Sequence, residues 1–425
     1  MSFQQGLSGL NVASKSLDVI GNNIANSGVA GFKGATAQFG DVFASSLGGA
    51  GGTAVGIGAQ LQAVAQRFSQ GNITSTNNPL DIAVNGNGFF RMSDNGNISY
   101  SRNGQFHTDK NGSIINTSGQ ILTGYSADAS GNILATSPVP LTISNNSLAP
   151  NSTSAFEVGM NLDAAATVKA PASFDTKNPS TFNNSTSGTV FDSIGGSHTM
   201  TVYFLKTAAN AWNSYVEIDG ADVVAAGLST PTGVTPASSA LAFSTSGGLT
   251  TAMPLTISVD LAAVAAAQVP ATTNSAATPL VFTLDFADSS QYGNPFSVTK
   301  LTQDGYASGR LSSIGIGGDG ILVGHYSNGQ TKNLGQVVLA SFANPNGLSS
   351  EGSNQWKDNS ESGLPIIGVP GTGTLGALQA SAIEDSNVDL TSELVAMITA
   401  QRIYQANAQS IKTQDSILQT LVNLR

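Results

Sequence analysis

The sequence predicts a mainly β protein with α-helical termini, in which nested, discontinuous β domains lie between the two halves of a terminal helical coiled coil. Apolar residues repeat every seven positions at both ends of the chain, which is the pattern of paired helices. Strand-like segments separated by Asn, Asp and Gly turns fill the interior. Only 10% of the 425 residues are charged, well below the usual quarter, so the interior is strand and turn and not solvent-exposed helix.

The carboxy-terminal repeat is the longer of the two. Ser386 and Asp389 form an S-x-x-D start signal for a helix, and neither Gly nor Pro occurs after them. The roughly 36 residues that follow would extend about 54 Å as a helix. Asp415 is a polar interruption of the repeat, as is Gln401, and such positions trade stability for register or for contacts with other chains. The predicted seam on this helix is Leu390, Leu394, Met397, Gln401, Tyr404, Ala408, Ile411, Leu418 and Val422.

A second heptad repeat begins at the amino terminus, with its seam at Phe3, Leu7, Leu10, Leu17 and Ile24. Each repeat is amphipathic and would leave an apolar stripe in water if it stood alone. The simplest burial places one helix against the other, and the remaining apolar surface then faces neighbouring subunits. The two seams are therefore predicted to drive polymerisation. Periodicity alone leaves one alternative open, a surface helix that packs on its own domain.

Both ends also carry sequence motifs that include many residues outside the heptad positions. The amino-terminal motif is Asn22, Asn23, Ala25 and Asn26, followed by Gly31, Phe32 and Lys33. The carboxy-terminal motif is Ser386-Asn387-Val388-Asp389-Leu390, Glu393-Leu394-Val395, Ala400-Gln401-Arg402, Tyr404, Asn407, Lys412-Thr413, Asp415 and Leu418. In these residues the chain resembles the rod and hook axial proteins of the bacterial flagellum, and within that family the hook subunits. The resemblance extends over 81–124 and 334–352 and fades between about 150 and 290, and Val29 stands where the family often has Thr.

The resemblance implies a structural subunit of the flagellar hook. Such a subunit self-assembles into a curved, flexible tube, a universal joint that carries motor torque from the rod to the filament in motility. The resemblance also implies a place in the hook at the cell exterior, reached by type III export without a cleaved signal peptide. The implied partners are further copies of the chain, the distal rod protein, the hook cap, the hook–filament junction protein, the hook-length control protein and the export apparatus.

The interior divides by composition into a nested arrangement. Strand-and-turn sequence is interrupted by a stretch rich in Pro, Thr, Ser and Ala and then resumes, which indicates one domain inserted into another. The predicted segments are the terminal helical coiled-coil domain 1–30 and 382–425, the linker region 31–76, the inner β domain 77–148 and 295–381, and the inserted outer β domain 149–294.

Turn chemistry accounts for two kinds of segment that otherwise suggest ligand binding. Asp94, Asp109 and Asp128 each open a turn rich in Asn, Asp or Gly before an aliphatic strand start, which predicts a series of hairpins. A calcium loop from Asp109 would need Glu at its twelfth position, where Gln120 stands. The glycine-rich segment 315–320 lacks a Lys and a following helix signal, so a tight turn is predicted there and not a phosphate loop.

Composition and motifs argue against catalysis, metals, nucleic acid and membrane insertion. The net charge of −10 offers no basic face to phosphates. There is no cysteine, and His107, His198 and His325 lack ligand spacing and are predicted to be isolated. No run approaches 18 apolar residues, and no basic signal-peptide start is visible. We therefore predict no enzymatic activity, no cofactor and no metal site.

Two classes of function remain to be weighed. The first is a polymer subunit, for which a distal-rod or other flagellar axial protein is the nearest rival of the hook. The inserted region 149–294 favours the hook, since the rod proteins of the family are shorter. The second is a secreted β-rich binding module or hydrolase. That class gives the paired terminal heptads no role, so the polymer subunit is preferred.

Overall fold

The chain divides into two compact units. The computed structural model describes residues 2–42, 56, 58–144, 146–223, 239–267 and 272–423. The first unit consists of Met1–Asn145, Ser312–His325 and Thr331–Arg425, and the second consists of Asn146–Leu311 and Tyr326–Gln330. The first unit is therefore discontinuous along the chain and carries both termini.

Two long helices enclose a long series of short strands in the sequence. Helix α1 is Ser2–Ala25, and the first ten strands are β1 Ala35–Val42, β2 Gly58–Gln66, β3 Ile73–Ser75, β4 Ile82–Asn85, β5 Phe89–Asp94, β6 Asn97–Ser101, β7 His107–Thr108, β8 Ile114–Ile115, β9 Ile121–Ser126 and β10 Val139–Pro140. The next elements are β11 Ala155–Asp163, β12 Asn184–Phe191, β13 Ser197–Ala208, β14 Ala211–Ile218, β15 Ala221–Val223, β16 Ser239–Ala242, β17 Leu255–Val259, helix α2 Leu261–Ala267, β18 Leu280–Asp285, β19 Ser290–Tyr292 and β20 Ser297–Gln303. The last elements are β21 Leu311–Ile316, β22 Ile321–Tyr326, β23 Thr331–Val337, β24 Leu339–Ser341, β25 Ser349–Gly352, β26 Gln355–Lys357, β27 Ile366–Gly368, β28 Ala377–Ala380, β29 Ala382–Glu384 and helix α3 Leu390–Asn423.

The β part of the first unit is built on one large sheet, whose longest path is β21-β22-β23-β9-β5-β6-β26-β25. Three two-stranded sheets accompany it, formed by β1 with β2, β28 with β4, and β29 with β3. Large aromatic side chains fill its core. Tyr100 and Phe342 meet edge to face with 4.7 Å between ring centroids, and Phe89 meets Trp356 at 5.7 Å. This arrangement is the favoured one for buried rings.

The phenol of Tyr100 makes this core sensitive to alkali. Tyr100 is 2% exposed, and burial, with the nearby Asp358 carboxylate, raises the pKa of its hydroxyl to about 12, from 10.0. The folded chain therefore holds the proton more tightly than the unfolded chain, and stability present below pH 10 should be lost as the pH rises toward 12. We expect the melting temperature to fall across this range, and to fall less in Tyr100→Phe. Equal falls in the two proteins would contradict the assignment.

The predicted turns are confirmed. Asn95 and Gly96, with φ of 49° and 94°, join β5 to β6, as a type I′ hairpin turn requires. The carboxylates of Asp109 and Asp128 each accept two backbone N–H groups of their own turn at 2.7–2.8 Å. In the glycine-rich segment, Gly320 has φ of 81° and the chain continues directly into β22. These residues therefore make turns.

The second unit contains two five-stranded sheets. One has the order β17-β18-β11-β19 with β20 also on β11, and the other has the order β12-β13-β14-β15 with β16 on β14. Buried side chains from both sheets form one apolar cluster, in which Phe156, Phe204 and Phe282 are at most 1% exposed. Trp212 is fully buried there, and its indole N–H donates to Gln291 Oε1 at 3.1 Å.

The structure corrects two details of the sequence interpretation and adds a third. The linker region 31–76 contains regular structure, because β1 and β2 pair from Ala35–Gln66 to Val42–Gly58. Their alternation of Ala with Gln gives little apolar signal. Residues 382–384 form a strand and not helix, since α3 begins only at Leu390. His198 is not isolated, because strand pairing brings it beside Asp192 and Asp219. Within the described ranges, no helix is both long and apolar enough to span a membrane.

Candidate functional site

Helices α1 and α3 pack side by side in opposite directions. A Cβ atom added to Gly6 would lie 2.9 Å from Cγ1 of Ile411, and at the other end of the contact Asn23 Nδ2 donates to Glu393 Oε1 at 3.2 Å. Rising numbers in α1 thus meet falling numbers in α3, which defines an antiparallel pair. Small buried residues, Gly6 and Ala13 on α1 and Ala400 on α3, line the contact and let the backbones approach closely.

The start of α3 is fixed by a side-chain cap. Asp389 Oδ1 accepts the backbone N–H groups of Thr391 at 2.9 Å and Ser392 at 3.2 Å. These groups have no partner within the helix, and an Asp at this position also stabilises the positive end of the helix dipole. The acidic residue Glu393 lies in the same first turn.

The predicted seam residues lie beside the α1–α3 contact and not at its centre. Ile411 does touch α1, through Gly6. The half-buried seam residues are Leu10, Leu17, Ile24, Met397, Ala408 and Ile411. The exposed ones, apart from the polar Gln401, are 42–56% exposed and comprise Phe3, Leu7, Leu390, Leu394, Tyr404 and Leu418. The side chain of Val422 lies outside the described part of the chain.

Both seams lie on the same side of the helix pair. The contact line passes through Gly6, Ala13 and Ile20 on α1 and through Glu393, Ala400 and Asn407 on α3. On each helix the seam precedes this line by three residues, which is a rotation of about 60° at 3.6 residues per turn. Because the helices run in opposite directions, the same sense of rotation brings both seams to one side. We call this side the apolar face; it consists of Phe3, Leu7, Leu10, Leu17, Leu390, Leu394, Met397, Tyr404 and Leu418.

The β1–β2 hairpin covers the opposite side of α1. The side chain of Gln5 donates to the carbonyl oxygen of Gly56 at 2.8 Å, and Ser8 Oγ accepts the backbone N–H of Ala59 at 2.8 Å. Gln5 and Ser8 lie on the other side of the contact line from the seam. The hairpin therefore packs on α1 without covering the apolar face.

Lys33, Arg102 and Glu384 form a buried ionic junction. It links the segment after α1 and the segment before α3 to the β part of the first unit. Lys33 Nζ donates to Glu384 Oε1 at 2.6 Å, and Arg102 Nη1 donates to Glu384 Oε2 at 3.0 Å. The side chains of Lys33 and Glu384 are fully buried, and that of Arg102 is 4% exposed. Burial lowers the pKa of both cations, while the Glu384 carboxylate opposes this shift. Two cations thus share one carboxylate in the interior.

The amino-terminal motif supplies much of this junction. Asn23 is 1% exposed, and its amide exchanges hydrogen bonds of 2.8–2.9 Å with the backbone of Ala35. The N–H of Gly31 donates to the carbonyl oxygen of Glu384 at 2.7 Å. The remaining motif residues are less buried: the Phe32 N–H donates to Val29, the Asn26 side chain donates to the carbonyl of Asn22, and Asn22 and Ala25 are exposed.

Sequence reasoning missed Glu384 and Arg102. The chain positions of Lys33 and Glu384 differ by 351 residues, so no local spacing joins them. One signal in the sequence could have found them. Charged residues are uncommon in this chain, so a charged residue at the end of a predicted strand is a candidate for a specific ion pair. Outside the junction, Arg67 Nη2 pairs with Glu393 Oε1 at 3.2 Å and links β2 to α3 through a partly exposed contact.

Gly31 is a point at which the junction tolerates no side chain. Its φ is 70°, and an added Cβ atom would lie 2.5 Å from the backbone nitrogen of Asn103. We expect Gly31→Ala to lower the free energy of unfolding by more than about 2 kcal/mol, since left-handed backbone strain adds to a clash that backbone cannot relieve. Gly28→Ala is the matched control, because open space surrounds Gly28 and its change should stay within about 0.5 kcal/mol. Denaturant unfolding of both variants measures the difference, and equal stabilities would contradict the prediction.

Comparisons with known proteins assign both the helical ends and the β interior of the chain to one class of protein. Four family models match: Flagella basal body rod protein over residues 3–33, Flagellar hook protein FlgE/F/G D1 domain over 83–161, Flagellar basal body protein FlaE D2 domain over 161–306, and Flagellar basal body rod FlgEFG protein C-terminal over 379–424. Helical termini with these matches around a β interior define a flagellar axial structural protein.

Full-length relatives narrow the class. The chain is 43% identical to the flagellar hook protein FlgE of Escherichia coli K12, and equally to that of Salmonella typhimurium LT2, over all of each chain. The chain belongs to the flagellar hook protein family, whose members are structural subunits of the hook. The crystal structure of Helicobacter pylori flagellar hook protein FlgE2 shares the fold, with a TM-score of 0.51 and 13% identity over 73% of this chain and all of that one.

Proposed function

We propose that the apolar face is the surface through which subunits of the hook polymerise. Nine apolar side chains lie on one side of the helix pair, while the hairpin packs on the opposite side of α1, and this single observation carries the proposal. An open apolar stripe of this length is unfavourable in water and is stabilised by packing against the same face of other copies. Because every subunit carries one such helix pair, the same contact can repeat from copy to copy and build a homopolymer.

The β domains form the outer part of the proposed tube. We assign residues 77–148 and 295–381 to an inner β domain and 149–294 to an inserted outer one, and the division of the chain into two units near residues 145 and 311 supports this assignment. The sequence of the chain is rich in Ser, Thr, Asn and Gly and poor in charge. Small polar groups exchange partners and water without stranding a buried ion, which suits contacts that slide as a tube bends.

We further propose that the subunit has no enzymatic activity and lies at the cell exterior. It reaches that place without a cleaved signal peptide. Its further partners are the distal rod protein, hook cap, hook–filament junction protein, hook-length control protein and type III export apparatus. The resemblance of both terminal motifs to flagellar axial proteins supports these assignments.

Electron microscopy of the purified full-length chain tests the proposal. At high protein concentration we expect tubes of uniform diameter. A chain deleted from residue 386 onward keeps its β units but lacks α3, and should remain monomeric under the same conditions. Tubes formed equally well by the deleted chain would show that the apolar face is not the polymerisation surface.

A further inference from the structure

Asparagine followed by glycine is the dipeptide most prone to spontaneous loss of ammonia, and seven such pairs occur in the chain. In this reaction the backbone nitrogen of the glycine attacks the side-chain amide carbon of the asparagine. Glycine has no Cβ atom to hinder the attack. In a folded protein the reaction also requires that the glycine N–H be free and that the chain around it can move. The pairs begin at Asn85, Asn87, Asn95, Asn103, Asn111, Asn328 and Asn346.

The fold holds six of these pairs in place. Attack by their glycine nitrogens requires that a hydrogen bond break or that a buried turn open. Two of the glycines, Gly88 and Gly104, are buried. The other four already donate their N–H group: Gly86 donates to Gln70 Oε1 at 2.9 Å, and Gly112, Gly329 and Gly347 donate to the carbonyl oxygens of Asp109, Tyr326 and Asn344 at 3.0–3.1 Å.

Asn95 and Gly96 differ from the other pairs, because they are the exposed central residues of the turn between β5 and β6. Within the described ranges, the N–H of Gly96 donates no hydrogen bond. The surroundings of Gly96 are open, since a Cβ atom added there would meet no atom within 4 Å apart from its two chain neighbours. Asn95 Nδ2 donates to Asp94 Oδ1 at 2.9 Å, and Asp94 is itself exposed. Neither burial nor a bond to the glycine nitrogen protects this pair.

We propose that Asn95 is a site of spontaneous deamidation, a covalent modification that accumulates as the subunit ages. The nitrogen of Gly96 loses its proton to water and bonds to Cγ of Asn95, while the bond from Cγ to Nδ2 breaks and Nδ2 leaves with a proton as ammonia. The product is a five-membered succinimide ring. Water then opens the ring at one of its two carbonyl carbons, which gives either aspartate or isoaspartate. The net reaction consumes one water and releases one ammonia, and it needs no enzyme or cofactor.

The isoaspartate product alters the hairpin. It adds one carbon atom to the main chain at residue 95, where φ is 49°, between the paired residues Asp94 and Asn97. It also places a new carboxylate beside that of Asp94, and like charges repel. Because β5 and β6 carry Phe89 and Tyr100 of the aromatic core, a distorted pairing of these strands should lower the melting temperature of the first unit. The site is independent of the proposed polymerisation surface.

Trypsin separates two of the pairs into neighbouring peptides, which provides an internal control. Cleavage after Arg91, Arg102 and Lys110 gives peptide 92–102, which contains Asn95, and peptide 103–110, which contains Asn103. The purified full-length chain is kept in mildly alkaline buffer for weeks, and mass spectrometry of samples locates and measures the conversion of amide to acid. We expect Asn95 to react at least about tenfold faster than Asn103, because breaking one or two hydrogen bonds first slows a reaction by that factor.

The same incubation in concentrated urea tests whether the fold selects the site. The two peptides should then react at similar rates. A rate for Asn95 no greater than that for Asn103 in the folded chain would overturn the proposal, as would a preference for Asn95 that persists unchanged in urea. Isoaspartate and aspartate should both form and separate by chromatography, whereas aspartate alone would mean direct hydrolysis and would contradict attack by Gly96.

Asn95→Gly is the matched variant for the effect on stability. Glycine accepts the left-handed backbone of this turn and has no amide to lose. During the incubation the melting temperature of the parent should fall as isoaspartate accumulates, while that of folded Asn95→Gly should stay constant. An equal fall in both proteins would overturn the assignment of this ageing effect to Asn95.

Discussion

Replacing Glu384 by Ala should lower the free energy of unfolding of the first unit by about 3–5 kcal/mol. The side chain of Glu384 is fully buried and forms ion pairs with both Lys33 and Arg102. Its removal leaves two cations in the interior without a carboxylate. It also removes the acceptor of the backbone N–H of Gly71, at 2.8 Å. An unpaired buried charge costs far more than the loss of a surface contact.

Fluorescence of Trp356 in a Trp212→Phe background reports on the first unit, because Trp356 lies in its aromatic core and the chain has two tryptophans. Guanidinium unfolding followed by this signal gives the stability of the Glu384→Ala variant. Glu351→Ala is the control, since Glu351 and Lys357 form a pair 3.7 Å apart with both side chains nearly half exposed. That change should stay within about 1 kcal/mol.

A second comparison separates two effects: the loss of the Glu384 carboxylate from the ion pairs, and the free-energy cost of keeping charged groups in the interior. The triple change Lys33→Met, Arg102→Met and Glu384→Met removes all three charges from the same volume. Buried ionic groups replaced by apolar ones of similar size often cause little loss of stability. We expect the triple variant to be more stable than Glu384→Ala. If Glu384→Ala unfolds at the same denaturant concentration as the parent, the junction does not hold the first unit together.

The parts of the fold that the sequence predicts are those with a local cause. The heptad from Leu390 to Leu418 is visible because a helix repeats its side after seven residues. The turns at Asn95-Gly96 and at Asp109 are visible because few residues accept a left-handed backbone or cap their own turn. The start signal formed by Ser386 and Asp389 belongs to the same group, although the residue that caps α3 is Asp389 and not Ser386. None of these needs knowledge of distant parts of the chain.

The parts that the sequence does not predict depend on distant residues or on weak patterns. The β1–β2 hairpin is built largely from Ala and Gln, so its alternation is hidden in composition. The contact line through Gly6 and Ala13 is not predicted by the heptad pattern. That pattern is defined by large apolar residues, whereas the two helices approach each other through small ones. The pairing of His198 with Asp219 follows from strand register, and that of Lys33 with Glu384 joins the segment after α1 to the end of β29; no local spacing encodes either contact.

Replacing Leu418 by Asp should abolish tube formation while leaving the subunit folded. Leu418 is 56% exposed on the apolar face. It lies seven residues, or about 10 Å, beyond Ile411, and Ile411 lies opposite Gly6 near the start of α1. The antiparallel register therefore carries Leu418 past Ser2, so α1 does not cover it. A polar side chain at this position should change the melting temperature of the monomer little, since exposed sites usually contribute within about 0.5 kcal/mol.

In the proposed polymer the same carboxylate would be buried among apolar side chains of neighbouring copies. An unpaired charge there costs several kcal/mol in every subunit. A loss of about 4 kcal/mol corresponds to roughly a thousandfold rise in the protein concentration needed for assembly. Sedimentation and electron microscopy of purified protein should show monomers under conditions in which the parent forms tubes, and cells that carry Leu418→Asp should lack hooks and motility.

Ser416→Asp is the matched control, because Ser416 is exposed and lies about 160° around α3 from Leu418. It adds the same charge to the same turn of the helix but not to the apolar face, so tubes should form. Normal tubes from Leu418→Asp would contradict the assignment of the apolar face to polymerisation. Loss of tubes in both variants would mean that the end of α3 is enclosed on all sides by other subunits, and that its apolar residues do not by themselves select the side that packs.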